Sequence, residues 1–537
     1  MRKVPFLLLT LALITGACSR NAPVKNGSTP VATIAGTVAP RLANPTSISI
    51  QTYLPPTRAP GEPIASPTAN QGAEVIAFPT FTPLAAPTQI GAPTKPAGTQ
   101  YTVQSGDYPS SIAQQFGITT EELLAANNQN DAWIMYPGDV ILVPVTGRPN
   151  GAGIGPNEPA SASAYFKIIP DSELVYGPLS SSLDVQDFVR QQGGYLSKYS
   201  EVVDGDTLDG AQIVELVAKR YSVNPRLLLA VLEYRSGWVT NANPDQSRLE
   251  TPIGYVDSYY INLYHQLTWS ADMLNQGFYR FREGKVKTWR LADGSLVEPH
   301  PGINPGTAGV QNLFAALDKA DTWPVDTGPD GLHALITRMF GYPFDLAIEP
   351  VLPTGLIQPV LSLPFGPGEA WQFSGGPHGG WVSGSAWAAL DFAPPGEPIG
   401  CGSSENWVTA VTPGKVIRVE NGAVVQDLDN DGLEQTGWTI LYMHISPTDR
   451  VQAGAMLQPG DKIGHPSCEG GSALATHLHI ARRYNGVWIN AADPNLPFVM
   501  DGYTASGTDV EYDGKLTGHG KVIEAWDGIN PVNIIQR

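Results

Sequence analysis

Three scarcities shape what this chain can be. Cysteine occurs only 3 times in 537 residues, which excludes a disulfide-dense scaffold. Charged residues make up 15% of the chain, against the ~25% of an ordinary globular protein. Cations are the scarcer sign: 32 Lys and Arg face 50 Asp and Glu, for a net charge of -18. So few cations argue against nucleic acid, whose binding needs Lys and Arg to displace counterions, and against a polybasic grip on anionic lipid. Long apolar runs are also missing: past the N-terminus no segment offers 18 consecutive apolar residues, the length of a membrane-spanning helix.

Gly (57) and Pro (48) are abundant, and 42% of the residues are hydrophobic. At roughly 150 residues per domain the length suggests three or four domains, and the Gly and Pro excess suggests linkers between them. Residues 1–18 place Arg2 and Lys3 before an apolar run, Val4 to Ile14, then Thr15-Gly16-Ala17-Cys18. Basic head, short apolar core and small residues make a secretory signal. The small-small-Cys end resembles a bacterial lipobox, although Thr15 stands where Leu is usual. The resemblance implies lipidation of Cys18 and an extracytoplasmic protein anchored to the cell membrane or envelope. Residues 19–99 are rich in Pro and Thr and nearly devoid of charge. They read as a disordered, semi-rigid spacer with a reach of up to ~240 Å when extended.

Residues 100–145 read as β-α-α-β. A strand at Tyr101–Val103 ends at Ser105-Gly106-Asp107, and Ile112, Ala113 and Phe116 recur at helical spacing. Thr119 or Thr120 caps a second helix bearing Leu123, Leu124 and Asn127, and Pro137-Gly138 turns into Val140–Val143. Gly106-Asp107, Ile112-Ala113, Asn127, Gly138-Asp139 and Pro144 make this segment resemble a LysM domain. That resemblance implies binding of N-acetylglucosamine-containing glycan between two loops, with Gly106, Asp107, Tyr108 and Tyr136 as contact residues.

Residues 163–350 read as mainly α-helical. A helix over Asp209–Tyr221 is followed by Asn224 as cap and Pro225 in the first turn of a second, Pro225–Glu233. The stretch Ala218–Gly237 resembles the opening of lysozyme-like lytic transglycosylases. Their general acid, a Glu before Ser-Gly, is here Arg235, which cannot donate a proton at neutral pH. Glu233 lies about 200° round the helix. A non-catalytic helical domain is expected.

Residues 360–497 alternate short β-like runs with Gly/Pro turns, the pattern of an all-β antiparallel domain. Thr476-His477-Leu478-His479 places two His at i and i+2, which on a strand share a face. His444 ends another apolar run, His378 follows Gly375-Gly376-Pro377, and Asp391 sits in Leu390-Asp391-Phe392-Ala393-Pro394. His and Asp suit Zn²⁺, which acidifies water and polarises a carbonyl. Together with Gly414-Lys415-Val416, Tyr442-Met443-His444 and Gly460-Asp461-Lys462-Ile463-Gly464, these motifs resemble the LytM/lysostaphin-like zinc endopeptidases of peptidoglycan. The resemblance implies one Zn²⁺ per chain on His378, Asp391 and His479. His444 and His477 would be the catalytic pair, one as general base and the other as stabiliser of the tetrahedral intermediate, in an order the sequence leaves open. The family usually has three residues between the first His and the Asp; here twelve intervene.

Cys401 and Cys468 flank the proposed site and, in an oxidising compartment, would pair as a disulfide; the alternative is a pair of thiolate metal ligands. Asp427-Leu428-Asp429-Asn430-Asp431-Gly432 has the D-x-D-x-D-G spacing of a calcium loop, with Glu434 as a further Ca²⁺ ligand, or else is an acidic hairpin turn. Residues 498–537 remain as a C-terminal extension. The expectation is a lipid-anchored peptidoglycan hydrolase cutting peptide stems or cross-bridges and targeted by LysM. The alternatives are a non-enzymatic wall-binding regulator and a glycan-strand hydrolase acting through the middle domain.

Overall fold

The computed structural model describes residues 98–103, scattered positions between 109 and 139, residues 140–144, and 166–537 save 397–399 and 403. The signal, Cys18, the spacer, and Gly106, Asp107, Tyr108 and Tyr136 lie outside the described residues. Among the described residues no helix is long and apolar enough to cross a membrane.

In the first described module, strands Gly98–Thr102 and Val140–Pro144 pair antiparallel, with helix Thr120–Ala126 between them in sequence. Val103, Ile112, Leu123, Ile141 and Val143 form its small core. Asn127 explains its place in the motif: its amide donates to the Leu123 and Leu142 carbonyls at 2.8 and 2.7 Å, and its oxygen accepts from Leu142 N at 2.7 Å. One side chain thereby ties the helix end to the second strand. Most of the expected first helix lies outside the described residues.

The middle region is helical, with two short hairpins added, Ser200–Val203 with Asp206–Asp209 and Trp289–Arg290 with Leu296–Val297. Helix Gly210–Tyr221 opens on a capping box between Asp209 and Gln212, which satisfies two otherwise orphaned N–H donors. Asn224 caps the next helix, Pro225–Ser236, by accepting from Arg226 N, and Gly237 ends it at φ 68°. The longest helix is Asn262–Arg282.

The C-terminal region is built on an antiparallel sheet. In spatial order its strands are Met456–Leu457, Gly414–Glu420, Ala423–Asp427, Trp438–Met443, Leu478–Tyr484, Ala389–Ala393, Ala370–His378 and Ile534–Gln536. Trp438–Met443 is buried at every position, and Leu478–Tyr484 is buried through Arg483, because both sheet faces are covered. Leu390, Val424, Ile440, Tyr442 and Ile480 belong to a core that also takes in Phe498 and Leu516. Their strand neighbours Ala389, Val425, Leu441 and Ala481 belong to a second core shared with Ile213, Leu228, Leu267 and Leu274 of the helical region. The C-terminal extension is thus part of the fold. Residues 499–524 form a four-stranded sheet, and Ile534–Gln536 pairs with Ala370–Gln372.

Candidate metal centre and active site

Register builds the centre. Asp391 and His479 are direct cross-strand partners, and His378 pairs with Ala389 at the end of the adjoining hairpin. Register shifts on either side of Gly375 bend the strand Ala370–His378, as bulges do, and deliver His378 to the same spot. The twelve intervening residues are therefore largely a hairpin loop, and the long spacing costs the site nothing. A Cβ on Gly375 would lie 2.7 Å from Asp391 Oδ2, so glycine leaves the carboxylate its room.

His378 Nε2 lies 2.9 Å from His479 Nδ1 and 3.2 Å from Asp391 Oδ1, and His479 Nδ1 lies 3.3 Å from the same oxygen. The outer nitrogens fix the tautomers. His378 Nδ1 donates to the Gly376 carbonyl at 2.8 Å, and His479 Nε2 donates to the Gly380 carbonyl at 3.0 Å. In the neutral rings the inner nitrogens are then lone pairs. Asp391 Oδ1 is buried without a hydrogen-bond donor. With both rings neutral, three acceptors converge, an arrangement a cation satisfies. Tetrahedral ligands with bonds of ~2.0–2.1 Å stand roughly 3.3 Å apart, which suits zinc.

The electrostatics agree. Burial by itself would raise the Asp391 carboxyl, but His378 and His477 hold it well below the usual carboxylate range. Burial lowers His479 and keeps it neutral, as a ligand must be. Burial pulls His378 down, but the charge and hydrogen bond of Asp391, the Gly376 carbonyl and Glu511 together raise it, so a metal binding at Nε2 would displace a proton.

His444 and His477 stand next to the ligands. Their ring centroids are 4.5 Å apart, His444 is 6.0 Å from His479, and His477 Nε2 is 3.8 Å from Asp391 Oδ2. Burial first, then the neighbouring His477 and His479, bring His444 down to about 3, leaving it a free base at neutral pH. Its backbone sits at φ 65°, a left-handed conformation that non-glycine residues adopt at a cost and that gathers at functional sites. His477 precedes its strand, which starts at Leu478, and is held instead by a bridge to Ser467 and by Nδ1 donating to Ala475 O at 2.8 Å.

Residues 167–351 match the family described as LasA, N-terminal domain, and residues 101–144 match the LysM domain. Protease LasA of Pseudomonas aeruginosa (strain UCBPP-PA14) is 26% identical over 304 residues, which cover 52% of this chain and 68% of that protein. Among solved structures, the M23 metalloprotease pseudoalterin from the deep sea is 25% identical, over 32% of this chain and 96% of that one, with a TM-score of 0.26. The catalytic domain of lysostaphin from Staphylococcus simulans is 23% identical over 23% and 89%, with a TM-score of 0.17. The chain thus carries a LysM module at residues 101–144, and about half of it is similar to protease LasA.

Two further residues reach the centre from outside these motifs. Tyr512, on the C-terminal extension, stacks on the His378 ring at 4.3 Å, and Glu511 Oε1 accepts from Gly379 N at 3.1 Å. No motif marks either residue. Cys401 and Cys468 are a disulfide. It joins the loop whose Glu469 carbonyl accepts from His444 Nδ1 at 3.2 Å to the loop whose Gly402 is bonded on both sides to Thr476, next to His477.

Glu434 is not placed as a calcium ligand: it pairs with Arg418 and with Arg483, the latter at 2.8 Å. Asp427, Asp429 and Asp431 do gather their oxygens within 4.8 Å of one another. Asp427 also accepts from Asp429 N and Gly432 N, and Asp431 from Leu433 N, the bonds of an acidic turn. In the helical region, Arg235 pairs with Asp318 at 2.9 Å and Asp326 at 3.4 Å. Glu233 accepts from Val239 N at 2.9 Å and Thr240 N at 3.0 Å. The helical region's match is to the LasA N-terminal domain, and both residues are engaged in holding its loops.

Proposed function

We propose that the chain is an extracytoplasmic zinc endopeptidase of peptidoglycan, cutting peptide stems or cross-bridges, with the LysM module holding the glycan. The convergence of His378 Nε2, Asp391 Oδ1 and His479 Nδ1 beside two further His carries this reading. Those three atoms would hold the metal. Bound there, zinc supplies Lewis-acid polarisation of a carbonyl and acidifies water. His444, a free base, suits the uptake of a proton from the attacking water. His477, exposed enough to meet a substrate and anchored through Nδ1, suits stabilisation of developing oxyanion charge and proton delivery to the leaving amine.

The helical domain is read as non-catalytic, because Arg235 is locked in two ion pairs and Glu233 is spent on backbone N–H groups. Lipid attachment at Cys18 completes the reading: an anchor, a spacer and a wall-binding module ahead of the enzyme. Mass spectrometry of muropeptides released from purified wall tests it. New peptide termini that vanish with a chelator are expected; cut glycan with intact peptides, or no products, would refute it.

A further inference from the structure

The loop that separates His378 from Asp391 is held from outside the peptidase domain. Helix Asn262–Arg282 of the helical region runs past it, and Asp272, midway along the helix, accepts from Gly384 N at 2.7 Å and from Ser383 Oγ at 3.4 Å. The approach is close: a Cβ on Gly384 would lie 2.2 Å from the Asp272 carbonyl oxygen. The loop transmits the grip because it is bonded to itself. Trp381 N donates to Ser385 Oγ at 3.1 Å, Ser385 Oγ donates to Val382 O at 2.6 Å, and Gly380 N donates to Ala386 O at 3.0 Å.

At its other end the same loop presents the Gly380 carbonyl to His479 Nε2. Gly380 is wedged in turn, since a Cβ there would meet the Trp488 ring at 2.6 Å. Trp488 N donates to Tyr279 Oη at 3.0 Å, on the same helix as Asp272. One helix of the neighbouring region therefore fixes, at two points, the acceptor that sets the tautomer and orientation of a metal ligand.

We infer that Asp272 is a positioning residue for the zinc site, acting through the 379–388 loop and the Gly380 carbonyl on His479. The inference rests on the zinc reading of the site. Outer hydrogen-bond partners of metal-bound His commonly contribute 10–100-fold in affinity. Asp272 would be such a partner at one remove, supplied by a different part of the chain.

The test uses the full chain, with zinc affinity measured by chelator competition and the metal-free proteins compared for unfolding. Asp272→Ala is expected to bind zinc about 10-fold more weakly. Asp272→Asn keeps an oxygen for Gly384 N and should stay within about 3-fold of wild type. Arg220→Ala serves as control: it breaks the ion pairs of Arg220 with Asp204 and Glu420, away from the loop, and should leave affinity unchanged. Should Asp272→Ala not fold, Asp272→Ser, too short to reach Gly384, carries the same expectation. Wild-type affinity in Asp272→Ala or its Ser substitute, no rescue by Asn, or an equal loss in Arg220→Ala would overturn the positioning role while leaving the zinc reading intact. A wild-type chain that binds no zinc would overturn both.

Discussion

His479 faces Asp391 directly across two antiparallel strands, with Nδ1 3.3 Å from Oδ1. Asp391 Oδ1 is buried without a hydrogen-bond partner, and His378 Nε2 closes the triangle at 2.9 Å from His479 Nδ1. Asp391→Ala should therefore reduce bound zinc from one per chain to near none, read by metal analysis after dialysis. Gly375→Ala should weaken zinc without removing a ligand, because the added Cβ would press on the Asp391 carboxylate at 2.7 Å. An unchanged zinc content in Asp391→Ala would end the assignment.

Zinc binding and turnover should separate at the two remaining His. His444→Ala and His477→Ala are each expected to keep one zinc and to lose about 10²–10⁴-fold in kcat. Steady-state cleavage of a wall peptide, with metal analysis on the same samples, checks this. Loss of zinc in either variant would make that residue a ligand instead.

The disulfide should matter to those His more than to the metal. Opening Cys401–Cys468 releases the loops that hold His444 and Thr476. Cys401→Ser with Cys468→Ser is expected to lower kcat and retain zinc. In the chain-entropy account it should also cost roughly 4.4 kcal/mol of stability, measured by denaturant unfolding.

Glu434 predicts an acid limb in the stability profile. Burial pushes its carboxyl up, but Arg418 and Arg483 outweigh burial and bring it to about 2, against 4.5 for the free side chain. Because the folded value is the lower, the stabilisation is fully present above the unfolded value and is lost as pH falls through about 2. It is worth on the order of 3 kcal/mol. Wild type should exceed Glu434→Gln at pH 7, and the two should converge between pH ~5 and ~2. A constant gap across that range would show that the ion pairs are not its source.

Calcium addition is expected to leave the melting temperature of the metal-loaded protein unchanged, since Glu434 is committed to two Arg and the turn caps itself. A calcium-dependent rise would restore the loop as a cation site.

How far the site could be read from residues alone follows from where its parts lie in the chain. His477 and His479 stand together in one short motif, and Asp391 and His444 sit in apolar runs that announce strands, so their chemistry shows locally. What brings His378 to them does not: two register shifts in its strand and a closing hairpin are properties of pairing. Tyr512 and Glu511 reach the centre from a segment that carries no motif, and Asp272 from a helix in another region. The strands of the peptidase sheet were legible as apolar runs. That both of its faces are covered was not, because a buried run reads the same whichever element covers it.

That double cover has a thermodynamic consequence. Leu441 and Ala481 share one core with Leu228 and Leu267 of the helical region, so neither region can melt without uncovering the other's interior. Calorimetry should find a single transition for residues 166–537, with equal calorimetric and van't Hoff enthalpies, rather than one transition for each region.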